Sequence, residues 1–423
     1  MARGAPRGRR LSADRQRQDP EVRAAAAPAG RSGLSRGALA GVRVLDLSRF
    51  VSGPLCTFFL ASLGAEVIAI EPPNVSTSRR LPPFAHPEGG AADTHVEGAL
   101  AMPFLKRGRG KRSIAVDITR PEGADLARAI SARCDVVVEN SKPGTMARLG
   151  LGFDSLARGN PRLVYIAISG YGPRGGDRPA MDNIVQAACG LMARTGFPDG
   201  PPLRAGTTVA DHTTATFAAL GALAALRHRD ATGRGQLVDV SMLDVMTALV
   251  WDEPVDHYEA AGLPVRTGNA DARGTLIDTY RCADGWVSVT CTSDRQWDAL
   301  AAHVGVPGAP RSQAGRVVAQ WAATRPARVV EAELLACGMP AGRVRHPVEA
   351  RDDPNVRVLE ELRHPLAPRG SGFLGPRLPL VLDGRVEVAP AELHGASTDA
   401  VLRELVGLRE DDLARLRADG VIA

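Results

Sequence analysis

Gly41-Val42-Arg43-Val44-Leu45-Asp46-Leu47-Ser48, then Gly53-Pro54, then Leu63-Gly64-Ala65-Glu66-Val67-Ile68, is the stretch on which the fold turns. Val42–Leu47 is a short apolar run with strand character. Gly53-Pro54 opens a helix that ends near Leu63. The proline sits in the first turn, where its missing N–H leaves no bond unmade. Gly64 stops the helix, and Glu66–Ile70 is the next strand.

The same alternation continues outward. Ser113–Ile118 is a strand, Glu122–Arg133 a helix begun by Pro121, and Asp135–Val138 and Leu163–Ile168 are further strands. A long helix spans Thr213 to about His228. Thr232-Gly233-Arg234-Gly235 breaks it, and Gln236–Met242 is a strand followed by a helix to about Trp251. Strand, helix, strand in repetition predicts an α/β fold with a Rossmann-like parallel sheet. Ligands of such sheets lie beyond the carboxyl ends of the strands, so the loops after Leu47, Val138 and Ile168 are the places to look. From about Asp256 the character changes. Ile277–Cys282 and Trp286–Cys291 flank Ala283-Asp284-Gly285 as a hairpin, with a helix at Gln296–Val304. The expected organisation is a basic tail over 1–36, a large α/β domain over 37–255, a smaller α+β domain over 256–336, and a return to the large domain over 337–423. Two helical segments, Asp399–Val406 and Glu410–Ala418, close the chain.

Composition narrows the function class. Of 423 residues, 44% are hydrophobic and 23% charged, a globular mixture. The net charge is +5, but nine arginines against three acids give residues 1–36 a charge of +6 and leave −1 for the rest. A near-neutral body carries no electrostatic footprint for nucleic acid. The tail composition builds no core and reads as disordered; a transit peptide is the competing reading, against which the tail lacks an apolar face. The six cysteines are scattered, with no C-x-x-C and no Cys/His cluster, which points to reduced thiols, a cytoplasmic setting and no metal site. The longest mostly apolar run, Ala215–Leu226, is too short to cross a bilayer, so no membrane association is expected.

Three segments have the residue types for chemistry. Glu139-Asn140-Ser141-Lys142-Pro143-Gly144 and Arg148 follow a buried strand and suit phosphates, though two solvated cations on a loop would look the same. Gly170-Tyr171-Gly172-Pro173-Arg174-Gly175-Gly176 has neither a Walker ending nor the dinucleotide spacing, and loops of this kind are commonly turns. Asp211, before the long helix, sits where an N-cap belongs. A helix terminus also favours an ionised carboxylate, and carboxylates serve as covalent nucleophiles. No nucleophile elbow is present to pair with His212, which is read as a supporting residue.

The opening segments, together with Glu71-Pro72-Pro73, Gly110-Lys111-Arg112-Ser113, Glu139-Asn140, Lys142-Pro143-Gly144, Gly170-Tyr171-Gly172, Gln186-Ala187-Ala188-Cys189-Gly190, Thr267-Gly268-Asn269 and His364-Pro365, resemble the family III CoA-transferases. That superfamily includes formyl-CoA and carnitine CoA-transferases and the α-methylacyl-CoA racemases. The resemblance covers nearly everything from Gly41 to Ala423. It implies an enzyme that moves CoA from an acyl-CoA donor to a carboxylic acid, with coenzyme A as substrate and no metal or redox cofactor. It implies Asp211 as nucleophile, forming an aspartyl-acyl anhydride and then an aspartyl-CoA thioester. Asp182 matches a second acidic residue, and Val51, Ser52, Asn140, Lys142 and Arg148 match the CoA-contacting surface. Backbone N–H groups of Gly170–Gly176 are candidates to stabilise oxyanions. The resemblance further implies a homodimer of interlocked rings.

Two departures bear on substrate and reaction. The racemases carry histidine where this chain has Met181, and a thioether transfers no proton. Formyl-CoA transferase has a glycine run that Thr267–Gly274 lacks. A racemase-like isomerase and a non-catalytic CoA-binding protein are the alternative readings. Removal of residues 1–36 is expected to leave the melting temperature and catalytic rate unchanged. A truncated protein that melts several degrees lower would refute this.

Overall fold

The computed structural model describes residues 37–423 except 76, 87–89, 95–97, 272–275, 367–369 and 383–385. The expected tail and the end of the Thr267–Gly274 loop lie outside the described residues. Six strands form one sheet: β1 (Arg43–Asp46), β2 (Glu66–Glu71), β3 (Lys111–Ala115), β4 (Val136–Glu139), β5 (Val164–Ser169) and β6 (Leu237–Ser241). The order is β3-β2-β1-β4-β5-β6 with every pair parallel, the doubly wound arrangement expected. Alternate side chains enter opposite cores. Val44, Val136, Val138, Val164 and Ile166 face α1 (Ser52–Ser62) and the long helix Val209–Thr232. Leu45, Ile68, Ile114 and Val137 face the opposite layer with Leu126 and Ile130 of the helix Pro121–Ser131. Both faces of the inner strands are covered, so β1, β2, β4 and β5 read as largely apolar runs, whereas Leu237 and Asp239 of the edge strand β6 are exposed.

The remaining helices that matter to the site are α2 (Met102–Arg107), α3 (Pro121–Ser131), α4 (Asp182–Ala188), α5 (Val209–Thr232) and α6 (Met242–Trp251). Helix α5 begins four residues before the expected Thr213, and its N-cap is Thr208, not Asp211. The physical reason is a cap from another element. The Asp182 carboxylate, at the start of α4, accepts from the backbone N–H groups of Ala210 at 2.8 Å and Asp211 at 3.2 Å. At 24 residues, α5 is long and apolar enough to cross a bilayer by length and composition, and twice the length of the expected apolar run. Here one side packs on β5, β6, α1 and α6.

The smaller layer is an antiparallel sheet, β7 (Leu276–Arg281), β8 (Trp286–Cys291) and β9 (Ala341–Arg343), around Trp297, Leu300, Val318 and Val330. Strand β9 lies beyond the boundary expected at 336. The chain then forms the hairpin β10 (Leu359–Arg363) and β11 (Gly370–Pro376) and runs along β3. Glu392 accepts from the Ser113 N–H at 2.8 Å, Thr398 Oγ1 from the Ala115 N–H at 3.0 Å, and Val421 O from the Asp117 N–H at 2.8 Å. An edge strand with unpaired amides would template association, and this segment covers it. The strand pairing of β3 stops at Ala115 rather than Ile118: Val116 still donates to Glu71 O at 2.8 Å but bridges Ile422, and Asp117 turns to Val421.

A buried ion pair joins three elements at the carboxyl side of the sheet. Lys111 Nζ of β3 lies 3.0 Å from Asp46 Oδ2 of β1, and also donates to Thr57 Oγ1 of α1 at 2.7 Å and to Pro54 O at 2.8 Å. Lys111→Met is expected to destabilise the protein by about 3–5 kcal/mol, because it leaves Asp46 charged and buried without its partner. Adding Asp46→Asn should recover much of that loss. Denaturant titration of both variants checks this, and equal stability of the two would refute it.

Candidate active site

The site forms where the loops after β1 and β4 meet, at the point where strand order reverses. Asn140 closes this crevice. Its Oδ1 accepts from Arg49 N at 2.8 Å and its Nδ2 donates to Arg49 O at 2.7 Å. Beside it, Phe50 has φ 65°, a left-handed conformation that costs a bulky residue energy and collects at functional sites. Gly53 permits the approach of α1: a Cβ there would fall 2.2 Å from Ser48 Cβ and 3.3 Å from Asn140 Cγ. Helix α1, which Ser52 opens, lies against α5, which carries Asp211.

Asp211 is the third residue of α5 and only partly buried. Its carboxyl is pushed up to about 6, first by burial and then by the Asp182 charge, against the lowering influence of His212, Arg107 and Ser52. Burial therefore outweighs the helix terminus expected to hold it low. Asp182 is 7% exposed, and its oxygens are committed elsewhere. Besides the two α5 amides, it accepts from Gln186 Nε2 at 2.6 Å, and Gln186 Oε1 accepts from Ala205 N at 2.9 Å. His212 turns back to Thr208, with Nδ1 2.8 Å from its carbonyl oxygen.

A cavity of about 190 Å³ opens beyond β1 and β2, lined by Arg49, Phe50, Arg79, Phe104, Arg107 and Lys111 among others. Arg79 is held there by Glu71, at 2.7 Å to each oxygen, and stacks 3.8 Å over Phe104. Arg107, at the end of α2, lines this cavity and also acts electrostatically on Asp211. Sequence reasoning missed Arg107. The basic run Lys106–Arg112 carries a signal, but no spacing says which cation reaches the carboxylate.

Asp211 and Asp182 come together, and Ser52 opens the helix that packs on α5. Val51 is the residue before α1, and Asn140 is engaged with Arg49. Lys142 and Arg148 are exposed, and Arg148 donates to Thr145 Oγ1 at 3.1 Å. Asn140 and Lys142 line a second recess of about 80 Å³ with Tyr171 and Arg178. Glu139, buried beside them, is driven up to about 7 by burial, while the Ser141 N–H at 2.6 Å opposes the shift. Among the described residues, no three His, Cys, Asp or Glu side chains form a metal-ligand group.

The model of CoA-transferase family III matches residues 39–391. Succinyl-CoA:mesaconate CoA-transferase of Haloarcula hispanica is 36% identical over 77% of this chain and 85% of its own length. Succinyl-CoA–D-citramalate CoA-transferase of Chloroflexus aurantiacus is 34% identical over 90% of this chain and 97% of its own. Succinate–glutarate CoA-transferase of Agrobacterium fabrum is 33% identical over 81% and 89%. Among solved structures, a CAIB/BAIF family protein from Brucella suis superposes with TM-score 0.75 and 29% identity, covering 88% of this chain and all of that one. Rv3272 from Mycobacterium tuberculosis gives 0.73 and 27%, covering 87% of this chain. A match from the first strand to the segment covering β3, with close relatives in sequence and structure, establishes that the chain belongs to CoA-transferase family III.

Proposed function

We propose that the chain transfers CoA from a short dicarboxylic acyl-CoA to a carboxylic acid through covalent intermediates on Asp211. The donor class rests on the named relatives, whose names carry succinyl-CoA or succinate. The observation that carries the mechanism is the division of labour between two carboxylates. Asp182 is committed to amides, whereas Asp211 is accessible, close to Ser52 and Arg107, and only moderately raised in pKa.

In the first step an Asp211 oxygen attacks the thioester carbonyl, the C–S bond breaks, and CoA leaves as thiolate. The product is a mixed anhydride. The thiolate then attacks the Asp211 carbonyl, the anhydride C–O bond breaks, and the donor acid departs. The acceptor carboxylate attacks this aspartyl thioester and expels the thiolate. Attack of the thiolate on the acceptor carbonyl releases the new acyl-CoA and regenerates the Asp211 carboxylate. No net proton or electron is consumed, so the reading calls on coenzyme A as a substrate and on no cofactor. Arg107 supplies positive charge beside the reacting carboxylate, and the cationic cavity next to it suits the anionic CoA. The isomerase reading gains no support: Met181 is 58% exposed and holds no proton to give.

The proposed assembly is a homodimer. Phe217 and Leu220 on the outer side of α5 are 49% and 59% exposed, and Trp251 at the end of α6 is 57% exposed. Large apolar side chains left open on one chain suit an obligate partner. Sedimentation should show a stable dimer at micromolar concentration, and a folded monomer would overturn the assignment.

Asp211→Asn should reduce CoA exchange by at least about a thousandfold while CoA still binds, since a neutral amide is a poor nucleophile. Hydroxylamine trapping after acyl-CoA addition should label the peptide containing Asp211. Label at Asp182, or near-normal turnover of the variant, would sink the mechanism. Because the nucleophile must be ionised, kcat/KM should fall tenfold per unit as pH drops below about 6. A pKa raised on folding adds stability in acid and loses it as pH rises through about 6. The Asn variant should accordingly melt higher than the natural chain at pH 7.5, with the difference shrinking as pH falls and gone only below the ordinary aspartate value of 3.8.

A further inference from the structure

Gln186, on α4, is fully buried, and its side-chain amide is tied at both ends. Its Oε1 accepts from the Ala205 N–H at 2.9 Å. Its Nε2 donates to Asp182 Oδ2 at 2.6 Å and, at a longer 3.4 Å, to Thr207 O. A backbone N–H meets only the oxygen end of an amide, so the Ala205 contact fixes the orientation: both amide protons face Asp182 and Thr207. The other oxygen of Asp182, Oδ1, accepts from the N–H groups of Ala210 at 2.8 Å and Asp211 at 3.2 Å. One glutamine therefore links the chain that enters α5 to the carboxylate that caps it.

The groups that Gln186 holds have separate supports. Ala205 and Thr207 end the loop that leads into α5, and the far part of that loop is braced from elsewhere. Gly200 O accepts from Arg266 Nη2 at 2.9 Å, and Gly196 O from Gly268 N at 2.9 Å. Gly268 has φ 67°, and a Cβ there would fall 2.7 Å from Phe197 Cδ1. Asp182 stands four residues before Gln186 on α4, on the same helix face. Gln186 lines neither of the two cavities at the site. We propose that Gln186 is a positioning residue for Asp211: it holds the Asp182 carboxylate on the first amides of α5 and ties the incoming loop to the same point, so that the first turn of α5 presents Asp211 to the crevice in one orientation. This rests on the reading of Asp211 as nucleophile. Asp211 is the third residue of α5, so a shift of that turn moves the reacting carboxylate with it.

The test compares Gln186→Leu, which keeps the bulk, with Asp182→Asn, Gln186→Glu and the last two combined. In Gln186→Leu, kcat should fall roughly ten- to a hundredfold with the donor KM unchanged, the loss expected when a reacting group is misplaced. Hydrogen exchange at the Ala210 and Asp211 amides should quicken. Asp182→Asn alone sets two amide nitrogens against each other, and Gln186→Glu alone sets two carboxylates against each other. Combined, they exchange donor and acceptor across the same gap, and an oxygen still faces Ala205 and α5. The double variant should recover most of both losses, and it decides the matter against its two singles if Gln186→Leu does not fold. Unchanged kcat in Gln186→Leu, a loss confined to donor KM, or a double variant no better than either single would overturn the proposal. So would unchanged exchange at the two amides, whatever Asp211 does in catalysis. Hydroxylamine trapping reports on Asp211 separately. Label on another residue overturns the nucleophile reading, whereas quickened exchange that the double variant reverses keeps the cap assigned to Gln186.

Discussion

The buried pair of Asp46 and Lys111 sets the geometry of everything at the carboxyl side of the sheet. Asp46 ends the central strand and, besides Lys111, accepts from Thr57 Oγ1 at 2.6 Å, from the Ser48 N–H at 2.9 Å and from the Ser48 hydroxyl. The strand end, the loop after it and the first helix are therefore held by one carboxylate. Lys111 reaches in from β3, which itself is covered by the last part of the chain. A charge pair removed from water adds little net stability, because desolvation nearly cancels attraction. Its effect is directional: it admits one arrangement of β1, α1 and β3, and that arrangement delivers Ser52 to the crevice.

Strands were the most legible part of the sequence. The inner strands β1, β2, β4 and β5 are largely buried on both sides, so each appears as an apolar run that needs no phase to recognise. Element ends were less legible, and the causes are specific. The start of α5 depends on Asp182, nearly thirty positions earlier (Ala210 and Asp182 are 28 apart), and no local signal carries that contact. The end of β3 depends on Ile422 and Val421. Resemblance pointed to Asp211 and Asp182 by type and neighbourhood, but local chemistry misread which of them caps the helix. An aspartate just before an apolar run looks like a cap, and here the cap arrives from another helix while Asp211 sits a turn further in.

The candidate site shows the same limit more sharply. Asn140, Lys142 and Arg148 follow a strand and have the polarity that suits phosphates, so sequence places all three together. Their environments differ: Asn140 and Lys142 line one recess, Lys142 and Arg148 are exposed, and Asn140 turns its amide onto the backbone of Arg49. Polar side chains at the end of a buried strand face competing demands, because the strand-end amides and carbonyls also need partners. Arg107 shows the converse. It comes from a short helix far from Asp211 in sequence, and only the fold brings it to the carboxylate.

Two acidic residues close to one helix terminus would ordinarily compete for it. Their environments resolve the competition. Asp182 is the more deeply buried and takes the helix amides and Gln186, so its charge is answered by hydrogen bonds. Asp211 receives less of that compensation and carries the burden of burial and of its neighbour's charge, which is why its carboxyl rises to about 6. A carboxylate whose ionised form is somewhat disfavoured is a better nucleophile than one fully satisfied by donors, provided it remains ionised at the working pH. The cap residue thus does more than start the helix. By occupying the amides that Asp211 would otherwise use, Asp182 leaves the second carboxylate without that compensation, and the protein gives up some stability at neutral pH.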